Sequence, residues 1–124
     1  MRTLAVLTTT LLLALSGSSQ AVCRFDSGKI FFGAETPMRG EADSGKPCGF
    51  EMSSALSSRS GSFRVAQPPL HGVAGIGDNG GMPVVAYRSA AGYRGSDEFV
   101  VSFMGGDIRL REAPSAIHVY IDVK

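Results

Sequence analysis

Glycine and proline punctuate this chain too densely for helices to form. Sixteen glycines and six prolines are spread along 124 residues. No window of about 11 residues keeps apolar side chains at i, i+3, i+4 and i+7 without one of them intervening. What remains between the interruptions is a series of short β-type runs. They are Ile30–Phe32, Gly49–Ser53, Ser62–Gln67, Leu70–Ile76, Pro83–Arg88, Glu98–Phe103 and Ala116–Val123. The last alternates most cleanly, with Ile117, Val119, Ile121 and Val123 on one face and His118, Tyr120 and Asp122 on the other. Phe63 and Val65 likewise share a face. Seven short strands separated by turn clusters predict an all-β domain, a two-sheet sandwich or a small barrel. Three segments read as looser connections: Gly33–Lys46, Asp78-Asn79-Gly80-Gly81 as a turn or hairpin tip, and Met104–Pro114.

The first 21 residues read as an export signal. Arg2 supplies the positive end, Leu4–Leu15 the apolar stretch, and Ser19-Gln20-Ala21 a small-x-small cleavage site. The apolar run is shorter than the roughly 20 residues that a spanning helix needs, so no membrane span is expected after cleavage. Cys23 follows closely, but Val22 stands where a lipid-attachment signal wants a small residue. Residues 22–124 are then expected to form one domain in the periplasm or outside the cell. Loss of Arg2 takes the net charge from +1 to zero, and basic residues nowhere cluster. Nucleic acid is therefore not an expected partner, because phosphate binding needs grouped Lys and Arg.

Cys23 and Cys48 are the only cysteines. In an oxidising compartment an even pair predicts a disulfide. Closing a loop of about 25 residues is worth roughly 3–4 kcal/mol in chain entropy, against a total stability of about 5–15 kcal/mol. There is no C-x-x-C, and neither histidine lies near in sequence, so redox and metal chemistry are poorer readings of the pair.

The segment Gly92-Tyr93-Arg94-Gly95-Ser96-Asp97-Glu98-Phe99 reads as a tight corner between strands. Gly92 and Gly95 permit positive φ or a close backbone approach. Asp97 can accept hydrogen bonds from turn amides. Tyr93 can bury its ring while its hydroxyl reaches a backbone partner, and Phe99 is expected to point into the core.

Together with Pro69-Leu70-His71-Gly72-Val73, Tyr87 and the run Ile117–Val123, this corner resembles the bacterial immunoglobulin-like repeats of cadherin-like type. The resemblance covers about half of the chain, from Phe63 onward. It implies an immunoglobulin-like β-sandwich of Greek-key type. The family occurs in tandem arrays in exported and surface proteins, whereas a single copy is seen here. Ser89 and Ala90 also stand where the family has proline. Because such modules often bind calcium between repeats, Asp78, Asp97 and Asp107 are candidate ligands, with Asn79 and Glu98 beside them. The D-x-[DN]-x-[DN]-G loop is absent, and turn-forming Asp and Asn is the preferred account.

Other chemistry is poorly supported. Gly40–Pro47 is one residue short of a phosphate-binding loop, with Pro47 in place of the magnesium-binding hydroxyl. No G-x-S-x-G elbow is present. His71, in a turn, is expected to hydrogen-bond locally, and a zinc site shared with His118 lacks a third ligand. Arg109 and Arg111 alternate with Ile108 and Leu110 and read as charges that deter edge pairing. No catalytic residue and no cofactor is expected. The expectation is a non-enzymatic module serving protein interaction, or a structural role, in the cell envelope. The expected partner is an unknown envelope or extracellular protein, with a glycan as the alternative. A carbohydrate-binding or adhesin-type module is the alternative, marked by exposed rings such as Tyr120 and one of Phe31 and Phe32. A small hydrolase or inhibitor is a third reading, which would need a pocket of clustered polar side chains.

Overall fold

The computed structural model describes residues 22–26, 29–52, 62–105 and 113–124. The segment expected to direct export, together with Asp107, Arg109 and Arg111, lies outside them. Eight strands form among the described residues: β1 (Cys23–Phe25), β2 (Glu35–Ala42), β3 (Cys48–Glu51), β4 (Arg64–Gln67), β5 (Gly72–Asn79), β6 (Met82–Ser89), β7 (Gly95–Gly105) and β8 (Ala113–Val123). They build two sheets, one ordered β1-β2-β8-β7-β4 and one ordered β3-β6-β5. Their inner faces share one core, so the fold is a β-sandwich.

Alternation sets the faces. On β8, Ile117, Val119, Ile121 and Val123 are buried while Asp122 is exposed and His118 and Tyr120 are half-buried. On β7, Phe99, Val101 and Phe103 point inward, and Phe99 is 0% exposed. β6 contributes Val85 and Tyr87 from the opposite sheet. Tyr87 stacks on Phe99 at 5.7 Å across the two layers, while Phe63, just before β4, stacks on Phe103 of the neighbouring β7 at 4.6 Å. No helix among the described residues is long and apolar enough to cross a membrane.

Three segments differ from the sequence-based expectation, one of them being β1, which was not among the expected runs, and the strand count rises from seven to eight. Ile30–Phe32 is not a strand. It is followed by a turn in which Gly33 has a φ of 74°. Hydroxyls hold this turn: the Phe31 amide donates to Thr36 Oγ1 and the Gly33 amide to Ser115 Oγ. Both Phe31 and Phe32 are exposed, although the Phe32 ring meets Phe103 edge-on. Conversely, Gly33–Lys46 is not loose throughout, because it contains β2. There Thr36, Met38 and Ala42 are buried while Glu35, Pro37 and Arg39 face out. β2 runs parallel to β8, from Glu35 opposite Ala116 to Ala42 opposite Val123. β1 covers only Gly40–Ala42 on its other side. Pro37 therefore sits where no strand among the described residues pairs with that side of β2, the position a strand proline tolerates.

The disulfide forms between Cys23 on β1 and Cys48 on β3, and so joins the two sheets. β5 and β6 are closed by Gly80-Gly81, with φ of 59° and 92°. Positive φ at both central positions is the hairpin turn that matches strand twist.

Candidate functional site

Two arrangements of polar side chains stand out, one inside the sandwich and one on its surface. The inner one centres on Asp97, at the start of β7 and only 6% exposed. Its Oδ1 accepts from the backbone amides of Leu70, at 3.1 Å, and Glu98, at 3.0 Å. Its Oδ2 accepts from the His71 amide at 3.3 Å and from the Tyr87 hydroxyl at 2.7 Å. One carboxylate thus ties together β6, β7 and the segment leading into β5. Four donors converge on it, which makes a charged acceptor tolerable at that depth. Burial, and then the bond to Asp97, push the Tyr87 phenol well above its ordinary range.

Around this carboxylate lies the glycine corner. Gly92 and Gly95 have φ of 84° and 132°. Between them the Tyr93 hydroxyl donates to Ser96 O at 2.5 Å. The Tyr93 ring stacks on His71 at 4.0 Å, nearly parallel. The His71 ring makes no hydrogen bond among the described residues; its backbone does that work, accepting from the Ala90 amide. Local hydrogen bonding by the ring, expected from the sequence, is replaced by stacking, because the corner brings the Tyr93 face directly over it.

The calcium candidates are not gathered. Asp97 directs both oxygens to N–H and O–H donors, and Asp78 lies at the far end of β5, beside the hairpin turn. Asp107 lies outside the described residues. Among the described residues no group of three or more His, Cys, Asp and Glu side chains is placed to hold a metal ion. Nor is a phosphate loop built from Gly40–Pro47: its first three residues finish β2, and Asp43–Lys46 form a tight turn with Gly45 at a φ of 69°.

The outer arrangement covers the solvent face of β2, β8 and β7. Register puts Arg39 opposite Tyr120, and Tyr120 opposite Glu98 on the other side. The Arg39 guanidinium lies over the Tyr120 ring, 5.4 Å from its centroid. The His118 ring stacks on Tyr120 at 4.3 Å with only 5° between the planes. His118 is held from both sides, Nδ1 at 2.8 Å from Glu35 Oε1 and Nε2 at 3.3 Å from Glu98 Oε2. At the β1 end, Glu41 meets Arg24 at 3.4 Å and Lys124 at 3.8 Å. A cleft of about 880 Å³ opens along this face, with Arg24, Arg39, Glu41, Glu98, Tyr120 and Asp122 among its walls.

Sequence reasoning singled out Tyr120 and placed His118 on the outer face, but it missed Glu35, Arg39 and Glu41. Their signal is the alternation Glu35-x-Pro37-x-Arg39-x-Glu41, masked by a proline and a glycine in the same stretch. Tyr87 as the partner of Asp97 was also missed, since nothing in the sequence pairs the two. No protein-family model and no curated protein matches the chain.

Proposed function

We propose that this chain is an exported immunoglobulin-like module whose outer β2–β8–β7 face docks a protein partner in the bacterial cell envelope. The immunoglobulin-like part of this reading draws on strand order. The arrangement β3-β6-β5 facing β4-β7-β8 corresponds to the B-E-D and C-F-G strands of that sandwich. It draws also on the Tyr93 corner, whose hydroxyl returns to nearby backbone. Export is supported by the inter-sheet disulfide, a bond characteristic of oxidising compartments. The cadherin-like repeats remain the family it resembles in sequence.

The observation that carries the functional reading is the Arg39–Tyr120–His118 stack. Core packing does not require these side chains, yet they are fixed on rigid strands by ring stacking and two carboxylates. Tyr and Arg are the residues over-represented at the centres of protein interfaces. Side chains already ordered lose little freedom on binding, which favours affinity. Sugar platforms, in contrast, offer a free ring face. The Tyr120 face is engaged by His118 and Arg39, leaving its edge and hydroxyl to a partner.

The test is capture from envelope extract by the oxidised protein, by a Tyr120→Ala/Arg39→Ala variant, and in the presence of EDTA or soluble polysaccharide. A saturable protein partner, lost with the double variant and indifferent to both additives, supports the reading. Capture abolished by polysaccharide or EDTA replaces it with glycan or calcium-dependent binding. Capture unchanged by the double variant removes this face from the function.

A further inference from the structure

The described strands leave four sheet edges, and three of them are blunted. β1 has three residues and is fastened by the disulfide. β3 has four, follows Pro47 and carries the other half of that bond. β4 has four, begins with Arg64 and is bulged between Val65 and Gln67. Short length, charge, proline and bulges are the usual devices that keep an edge from pairing. β5 is neither short nor bulged, and its one charge, Asp78, comes only at its seventh residue. It runs eight residues in unbroken register with β6, and Gly72–Gly77 contain neither charge nor proline.

The hydrogen-bonding parity of β5 follows from its two ends. The Gly80-Gly81 turn makes Asn79 and Met82 a bonded pair, and at the other end the Ala90 amide donates to His71 O at 2.8 Å. Odd-numbered residues therefore bond to β6. Gly72, Ala74, Ile76 and Asp78 turn their N–H and C=O groups away from it. Nothing among the described residues bonds those groups. Beside them two aliphatic side chains stand in solvent, Leu70 at 84% and Val73 at 68% exposure.

We infer that β5 is a homotypic docking edge: two copies of the chain pair antiparallel through it about a two-fold axis at Gly75. In this register Ala74 faces Ile76 of the second copy, and Gly72 faces Asp78. All four outward-turned residues of each strand then find partners, joining two three-stranded sheets into one of six. Size is complementary on both faces, with Val73 against Gly77 and Ala74 against Ile76. Leu70 extends over the Gly80 turn of its neighbour. Charge is compatible as well, because the two Asp78 carboxylates lie at opposite ends, about 20 Å apart at strand rise. Gly75 meets its own copy at the axis, and there a Cβ would touch nothing in the isolated chain. An edge of this size buries less than a standard interface of about 1,200–2,000 Å², so the dimer is weak and concentration-dependent.

Sedimentation velocity of the oxidised protein, over a hundredfold concentration range reaching several hundred micromolar, tests this. The wild type is expected to move from monomer to dimer. Gly75→Lys sets two ammonium groups against each other at the axis, and it is expected to remain monomeric with an unchanged circular dichroism spectrum and urea midpoint. Tyr120→Ala, on the other face, is expected to dimerise like the wild type. A wild type that stays monomeric at the highest concentration overturns the inference, as does a Gly75→Lys variant that dimerises normally. Failure of envelope capture does not touch it, since the two surfaces lie on different sheets.

Discussion

Replacing Tyr87 with Phe and Asp97 with Ala, separately and together, measures how far the sandwich depends on one buried carboxylate. Tyr87→Phe removes a single hydrogen bond to an ionised acceptor, worth about 1.5–3 kcal/mol. Asp97 keeps its three amide donors in that variant, so no charge is left unpartnered. Asp97→Ala removes all four bonds and strands the hydroxyl of Tyr87, a residue only 2% exposed. An orphaned buried donor alone costs about 1–3 kcal/mol, and with the three amides the total is expected near 3–5 kcal/mol. In the double variant no hydroxyl remains to be stranded. Its cost is expected to fall within about 1 kcal/mol of Asp97→Ala alone, a coupling of about 1.5–3 kcal/mol between the two sites. Urea titration of the oxidised proteins, followed by far-UV circular dichroism because the chain has no tryptophan, gives all four stabilities. In thermal melts each kcal/mol is expected to appear as about 4–8 °C. Additive single-variant costs, to within about 0.5 kcal/mol, refute the reasoning, and so does an Asp97→Ala variant that loses less than about 1 kcal/mol.

Phe99→Ala is expected to cost about 3–5 kcal/mol in the same titration, as truncation of a fully buried ring does; near-wild-type stability would remove Phe99 from the core. Reducing the Cys23–Cys48 bond is expected to cost roughly 3–4 kcal/mol by chain entropy, read as a lower melting temperature in dithiothreitol. Alkali is expected to act through Tyr87, whose folded phenol titrates above its unfolded value of about 10. The stabilising contribution is complete below pH 10 and declines as the pH rises further, by about 1.4 kcal/mol per unit, because the unfolded chain releases a proton that the folded one keeps. Urea midpoints from pH 9 to 12 should therefore fall more steeply in wild type than in Tyr87→Phe. Two exposed glycines are expected to respond oppositely to alanine. At Gly49 a Cβ lands 2.7 Å from the Val85 carbonyl oxygen and costs about 1–3 kcal/mol, whereas at Gly75 it is free of contact and leaves the urea midpoint unchanged or raised.

Legibility in the sequence followed how many faces of each element are buried. β8 could be read directly, since one face is aliphatic and the other polar, and its alternation survives without a break. The β5–β6 hairpin was equally plain from Asn79-Gly80-Gly81, whose turn chemistry is local. β2 was hidden because its inward positions are Thr36, Met38, Gly40 and Ala42, too mixed in size and polarity to register as an apolar face. Its strand character comes from β8, a neighbour remote in sequence. Ile30–Phe32 misled for the converse reason: three apolar residues in a row suggested a strand, but hydroxyls of Thr36 and Ser115 hold the backbone in a turn. At the surface, Tyr120 was visible as an outward aromatic. The stack with Arg39 was not, because it exists only in the parallel register.

That parallel register also bears on how quickly the chain can fold. Glu35 must find Ala116, and Ala42 must find Val123, before the five-stranded sheet is continuous. A closure spanning most of the described chain cannot be approached through short loops, and topologies dominated by such pairings fold in milliseconds to seconds rather than microseconds. Until β8 arrives, β7 carries Phe99, Val101 and Phe103 with one of its long sides unpaired. During synthesis the chain therefore passes through an interval in which its most adhesive strand is open, and a holding chaperone has its clearest target there.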